Sequence, residues 1–208
     1  MIYPGDPLGA EGREVAQKAL AAGLSVAIPT DTVYVLAVDP FVPRASDRLF
    51  ELVGRSREQD LPVLVGSVWQ ALKLATAVPE ASRRLMDGCW PGPLTLVLPR
   101  DPEVAADLGD DDLTIGVRMS GHPVPLLLCR DIGPLAVATL GAQGDADVQT
   151  AEEVAEEFGD EVAVVLDGGP CAGLPATVVD GTGEDPLLIR EGRLPWADIL
   201  AVIGDIRS

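Results

Sequence analysis

The chain has 208 residues, 47% hydrophobic and 23% charged, which excludes a disordered or fibrous chain and leaves ample material for a core. Its 33 acidic against 15 basic residues give a formal net charge of −18, so its average field repels nucleic acid and disfavours direct binding to it. No apolar run approaches the ~20 residues of a membrane span, and the N-terminus lacks the basic-then-apolar order of a secretory signal.

Cys89, Cys129 and Cys171 lie far apart, which suits reduced cytoplasmic thiols better than a disulfide framework. With a single histidine beside them they give no metal-ligand spacing, so no structural metal is expected. Arg55, Arg57, Arg83, Arg84 and Arg118 are the candidates for a local basic groove. One domain over residues 1–208 is expected.

In chain order, Glu11 to Ala22 has helical spacing through Val15, Ala16 and Leu20, with Gly23 as its C-terminal cap. Leu24 to Ile28 reads as a buried strand that Pro29 ends, since proline cannot continue a central ladder. Thr30, Asp31 and Thr32 put two hydroxyls and a carboxylate on the following turn, before the apolar run Val33 to Val38. Polar groups between buried segments either meet a ligand or satisfy the turn's own backbone.

Ala45 to Val53 reads as an amphipathic helix stopped by Gly54, with a polar loop from Arg55 to Asp60. Leu61 to Val65 is a strand, Gln70 to Ala77 and Pro79 to Asp87 are helical, and Pro91-Gly92-Pro93 is a rigid turn before the strand Leu94 to Leu98. Asp101 to Asp112 is an acidic loop expected to be mobile. Thr114 to Met119 is a strand, Pro123 to Cys129 a helix, Leu135 to Leu140 a strand and Gly141 to Gln149 a loop. Thr150 and Glu153 form a capping box opening a helix to Phe158. Val162 to Leu166, Thr177 to Val179 and Leu187 to Ile189 are strands, and a helix near Ala197 to Ile203 closes the chain. Strands alternating with helices argue an α/β or α+β domain with a mixed, twisted sheet.

The sequence contains no G-x-G-x-x-G after a strand, no G-x-x-x-x-G-K-[ST] and no G-x-S-x-G. His122, between Gly121 and Pro123 at a helix start, reads as structural rather than as a general base.

Several segments together resemble the YrdC-like family. They are Pro29-Thr-Asp-Thr-Val-Tyr34, Trp90-Pro-Gly-Pro-Leu-Thr-Leu-Val-Leu-Pro99, Thr114-Ile-Gly-Val-Arg118 with His122-Pro123, Asp167-Gly-Gly-Pro-Cys171, Thr177-Val-Val-Asp180 and Ile189-Arg-Glu-Gly192. They stand in the family's order, and the likeness runs from roughly Gly12 to Leu194. The resemblance implies a twisted mixed sheet with flanking helices around a large concave cavity. It also implies synthesis of threonylcarbamoyl-AMP and pyrophosphate from L-threonine, bicarbonate and ATP with magnesium, a step towards the threonylcarbamoyladenosine of tRNA.

By the same resemblance, Arg55, Thr114 and Arg190 belong mainly to the nucleotide, and Thr30, Thr32, Tyr34 and Arg118 to the threonine. Arg55 and Thr139 stand where the family keeps catalytic groups. The departures are concentrated there. The family's Lys-x-Arg reads Val53-Gly54-Arg55, so the lysine is an apolar residue, and Arg57 is the candidate to replace it on the nucleotide. The family's Ser-x-Asn reads Thr139-Leu140-Gly141, which keeps a hydroxyl and loses the amide. Ala176 stands for a serine, Val35 and Ala37 for two glycines, and Leu64 for a polar residue of some members. Three readings follow: a synthase with a rearranged site, a non-catalytic paralogue binding a nucleotide, small anion or protein, and related chemistry on another carboxylate or carbamoyl compound.

Overall fold

The computed structural model describes residues 2–3, 6–140 and 148–204. In chain order these form β1 (Ile2–Tyr3), α1 (Ala10–Ala21), β2 (Val26–Pro29), β3 (Tyr34–Val38), α2 (Ala45–Val53), β4 (Val63–Leu64), α3 (Val68–Leu74), α4 (Glu80–Cys89) and β5 (Leu94–Pro99). Then come β6 (Thr114–Arg118), α5 (Pro123–Asp131), β7 (Leu135–Thr139), α6 (Ala151–Phe158), β8 (Val164–Leu166), β9 (Thr177–Asp180), β10 (Leu187–Arg190) and α7 (Trp196–Gly204). The mixed α/β architecture expected from the sequence is present. Gly141 and most of the loop after it lie outside the described residues.

Local chemistry sets several boundaries. α2 ends at Gly54 with φ 61°, a left-handed conformation that costs glycine no steric penalty. The Thr150 hydroxyl accepts from the Glu153 N–H, and the Glu153 carboxylate accepts from the Thr150 N–H, so the expected capping box opens α6. At α5, His122 Nδ1 accepts from the Val124 N–H.

Among the described residues the strands join in one mixed sheet, in the order β1-β8-β2-β3-β7-β4-β6-β5-β9-β10. Side chains alternate between its faces, and the core divides accordingly. Tyr34, Leu36, Val63, Leu96, Ile115, Val117 and Ala136 enter one apolar cluster, with Leu49 and Phe50 of α2, Leu85 of α4 and Val154 of α6. Val26, Ile28, Val35, Leu64, Leu135 and Val137 enter the other, against Leu20 of α1 and Val124 and Leu128 of α5. On this second face α1 and α5 cover the β8-β2-β3 end. The rest of that face, towards β6, β5 and β9, lines a cavity.

The acidic loop, expected to be mobile, is anchored instead. Arg100 is buried, with guanidinium hydrogen bonds to the carbonyls of Val104, Ala106 and Asp111 and an ion pair to Asp112 at 3.3 Å. Ala106 and Leu108 of the loop are themselves buried. Among the described residues no helix is long and apolar enough to cross a membrane.

Candidate functional site

The cavity holds about 260 Å³. Its walls are the same-face residues of adjacent strands: Val35 of β3, Val137 and Thr139 of β7, Leu64 of β4, Thr114, Gly116 and Arg118 of β6. Thr95 and Val97 of β5 and Val178 of β9 continue the surface. Thr30 and Thr32 enter from the turn between β2 and β3, and Arg55, Asp60 and Arg190 carry the charges opposite Arg118. Apolar walls with a few convergent polar groups are the usual form of a small-molecule site.

One polar group is buried and interlocked. Thr30 Oγ1 donates to the Val33 carbonyl at 2.7 Å and accepts from the N–H groups of Thr32 and Val33. Thr30 Oγ1 and Thr32 Oγ1 also lie 2.8 Å apart. Thr32 Oγ1 in turn accepts from Arg118 Nη1 at 2.9 Å. Arg118 also donates to the Gly92 carbonyl from Nε at 3.2 Å and to Asp31 Oδ1 from Nη2 at 2.6 Å. The Pro91-Gly92-Pro93 turn brings that carbonyl in; a Cβ at Gly92 would lie 2.4 Å from the Cys89 carbonyl oxygen, so no larger residue fits. Burial lowers the pKa of Arg118, and Asp31 opposes that shift.

The second polar group is more open. Arg55 donates to the backbone carbonyls of Gln59 at 2.7 Å and Asp60 at 2.8 Å. Burial lowers its pKa, Asp60 raises it and Arg190 lowers it further. Arg190 is exposed and donates to the Ala176 carbonyl at 3.1 Å. Thr114 Oγ1 donates to Asp111 Oδ2 at 2.6 Å, which leaves its lone pairs to the cavity. Burial raises the pKa of Asp60, whose Oδ1 accepts from the Asp111 N–H at 3.2 Å.

Thr30, Thr32, Arg55, Thr114, Arg118, Thr139 and Arg190 thus share one cavity. Two candidates do not join them. Arg57 turns to carboxylates, with Nη1 on Asp47 at 2.8 Å, Nη2 on Asp107 at 2.6 Å and Nε on Asp110 at 3.4 Å. Its guanidinium also lies 5.0 Å from the centre of the Phe50 ring. It does not line the cavity, because surrounding acids offer a stronger site than open solvent does. Tyr34 is fully buried on the opposite sheet face, as the alternation of β3 requires. Its hydroxyl accepts from the Gly168 N–H and donates to the Gly169 carbonyl, and burial pushes its pKa up.

Val53 also stays out of the cavity wall and packs, half-buried, against the main core. Arg83 and Arg84 lie on α4, engaged by the Val78 carbonyl and Glu80. The five arginines proposed as a basic groove therefore divide, and Arg55 and Arg118 alone among them line the cavity.

Sequence reasoning missed Asp60 in the wall and the anchoring roles of Ser120 and Arg193. Ser120 Oγ donates to Asp31 Oδ1 at 2.5 Å, and Arg193 Nη1 donates to the Asp31 carbonyl at 2.9 Å. The Asp in the Thr-Asp-Thr turn was the available signal; no local pattern marks Ser120.

Residues 18–192 match the Sua5/YciO/YrdC family model, described as "Telomere recombination". A Mycobacterium tuberculosis relative, provisionally named threonylcarbamoyl-AMP synthase, is 40% identical over 190 residues, covering 89% of this chain and 86% of its own. Sua5 of Pyrococcus abyssi complexed with L-threonine is 35% identical with a TM-score of 0.86, over 92% of this chain and 57% of that one. A doubly substituted Sua5 of the same organism is 32% identical with a TM-score of 0.90, over 98% of this chain and 64% of that one. The chain spans less than two thirds of either Pyrococcus protein.

Proposed function

Since this chain belongs to the Sua5/YciO/YrdC family, we propose that it is a threonylcarbamoyl-AMP synthase whose cavity binds L-threonine at the buried cluster and ATP at the open one. The observation that carries the reading is one cavity with an arginine at 6% exposure locked beside two threonine hydroxyls, and two further arginines facing the same space. In a chain of net charge −18, Arg55, Arg118 and Arg190 against Asp60 make the wall a local exception suited to anions.

In this reading Arg118 takes the threonine carboxylate, with the Thr30–Thr32 hydroxyls beside the substrate. The amino nitrogen adds to the carbon of bicarbonate-derived carbon dioxide and loses a proton, giving a carbamate. A carbamate oxygen attacks the α-phosphorus of ATP, the bond from that phosphorus to the bridging oxygen breaks, and pyrophosphate leaves. Arg55 and Arg190 offset the charge on the phosphates, and the Thr114 and Thr139 hydroxyls orient them. ATP enters as its magnesium complex. Among the described residues no cluster of three acids, histidines or cysteines is suited to a metal.

A second reading is favoured by Val53 and Arg57. The position aligned with the family lysine is apolar and outside the wall, and the arginine nearest to replacing it is held by three aspartates. Loss of one preorganised stabilising group in a water-excluded site costs about a hundredfold to a thousandfold in rate. A cavity that binds a nucleotide or small anion without turnover fits those two residues.

Calorimetric titration with ATP and magnesium, with and without L-threonine, followed by pyrophosphate release in bicarbonate, separates the two. Synergistic binding with pyrophosphate release is the expected result. ATP binding indifferent to threonine, without release, would establish the second reading, and no binding of either would reject both small-molecule assignments.

A further inference from the structure

The Thr30–Thr32 turn holds a carboxylate that the proposed chemistry does not use. Asp31 does not line the cavity, yet its Oδ1 gathers three donors: Arg118 Nη2 at 2.6 Å, Ser120 Oγ at 2.5 Å and the Gly121 N–H at 2.9 Å. The donors come from β6 and the turn that follows it, so one oxygen ties the β2–β3 turn to the β6–α5 turn. Arg193 fixes the backbone at the same residue through the Asp31 carbonyl.

The consequence falls on Arg118. Three of its five N–H groups are committed, one each from Nε, Nη1 and Nη2. Among the described residues one N–H on each terminal nitrogen carries no partner, and two such donors match the two oxygens of a carboxylate. A guanidinium with no countercharge at this depth would be an uncompensated buried charge, and one free to rotate would present no fixed fork. Asp31 answers both needs from outside the cavity wall.

We propose that Asp31 is a positioning residue, which through Arg118 aims a two-pronged N–H fork at the carboxylate of the amino-acid substrate. This rests on the threonine reading above and deepens it, adding a required residue that touches no substrate. Because Asp31 already balances the charge of Arg118, recognition there depends on the fork's geometry more than on net charge.

The test compares Asp31→Ala, Asp31→Asn and Asp31→Glu with the unsubstituted chain, by calorimetric titration of L-threonine and, separately, of ATP with magnesium. Asp31→Ala is expected to weaken threonine binding about tenfold or more and to leave ATP within about twofold, since misplacement of a positioning group acts on the ligand it orients. Asp31→Asn keeps an acceptor oxygen but removes the countercharge, so its threonine affinity should lie between those of Asp31→Ala and the unsubstituted chain. Asp31→Glu keeps the charge but displaces it by a methylene; it should weaken threonine selectively, and it carries the test if Asp31→Ala does not fold. Unchanged threonine affinity in Asp31→Ala and Asp31→Glu, or equal weakening of both ligands, overturns the proposal.

If the unsubstituted chain takes up no threonine, the functional reading fails, and the positioning claim is decided by nuclear magnetic resonance. The Arg118 Nε–H signal, assigned by its loss in Arg118→Lys, should exchange slowly in the unsubstituted chain and in Asp31→Asn. It should exchange rapidly in Asp31→Ala. Slow exchange persisting in Asp31→Ala overturns the claim without reference to any ligand.

Discussion

Two sets of arginines serve this molecule, and they are held in opposite ways. Arg118, at 6% exposure, has a carboxylate, a hydroxyl and a carbonyl built around it. Arg55 and Arg190 lean on backbone carbonyls, and Arg57 has left the cavity for three aspartates at the surface. Where water is excluded a charge has to be met within the protein, and Gly92, Thr32 and Asp31 hold Arg118 by three of its five N–H groups, so the cluster is organised before a ligand arrives. Where water remains, solvent screens the charge, and the side chain is free to take whichever acid lies nearest. The departures from the family pattern are spread: Val53 packs against the main core, and Val35, Leu64 and Ala176 line the cavity, while Thr30, Thr32 and Arg118 keep their mutual hydrogen bonds.

The largest effect that would break this comparison is at Arg118. Arg118→Ala leaves Asp31 beside a vacated, largely buried space, and loss of one partner of a buried pair costs about 3–5 kcal/mol. Asp31 keeps some contact with solvent, so the lower figure applies; urea unfolding should show a loss of about 3 kcal/mol. A loss under about 1 kcal/mol would mean that the cluster is no more rigid than the open side.

Thr32→Val comes next. It removes the acceptor of one buried Arg118 N–H and the hydroxyl contact with Thr30, at a cost of about 1–3 kcal/mol in the same assay. Threonine affinity should fall with it, while ATP affinity holds.

Arg57→Ala sharpens the other side of the comparison. Its ion-pair partners are 38–61% exposed, so the loss should be about 1 kcal/mol and should shrink in high salt. ATP affinity should stay within about twofold, since the guanidinium does not line the cavity. A larger fall in ATP affinity would return Arg57 to the nucleotide site.

The smallest effect is pH-dependent and reports on the closed side. Burial lowers the pKa of His122, opposed by a hydrogen bond to the Gly168 backbone and by Asp31. The folded state therefore prefers the neutral ring. The stability this contributes is complete above the unfolded pKa near 6.5, and is lost as pH falls from there through the lower folded value. Protonation at Nδ1 would also remove the acceptor for the Val124 N–H. His122→Asn retains a capping acceptor without titrating, so its stability should fall less than that of the unsubstituted chain between pH 7 and pH 5. Parallel curves would show that the ring stays accessible to protons at no cost.

Much of the frame was legible because its causes are local. Gly54 stops α2, Thr150 and Glu153 open α6, and the unbroken apolar run from Val33 to Val38 fits a segment buried on both faces. The two-residue strand β1 escaped notice, since Ile2–Tyr3 is too short to show a period and is defined by its pairing with β8. For the site, the Thr-Asp-Thr turn and the arginines of β6 and β10 were visible as residue types. Tyr34 was misplaced although the apolar run that forms β3 was visible: a strand puts Tyr34 and Val35 on opposite faces, and which of them meets a cavity depends on which face the helices leave open.

By itself, then, the sequence determined the order and kind of most elements, the family likeness, and the net charge against which a wall lined by three arginines is exceptional. The elements and the charge follow from neighbours along the chain and from composition. Only the tertiary structure decided which acid each arginine meets. Arg118 finds Asp31 from 87 residues away, and Arg57 finds Asp107 and Asp110 from 50 and 53 residues away. The physical reason is that an ion pair is worth little until burial removes the competing water, and burial is a property of the folded packing, which residue spacing does not carry.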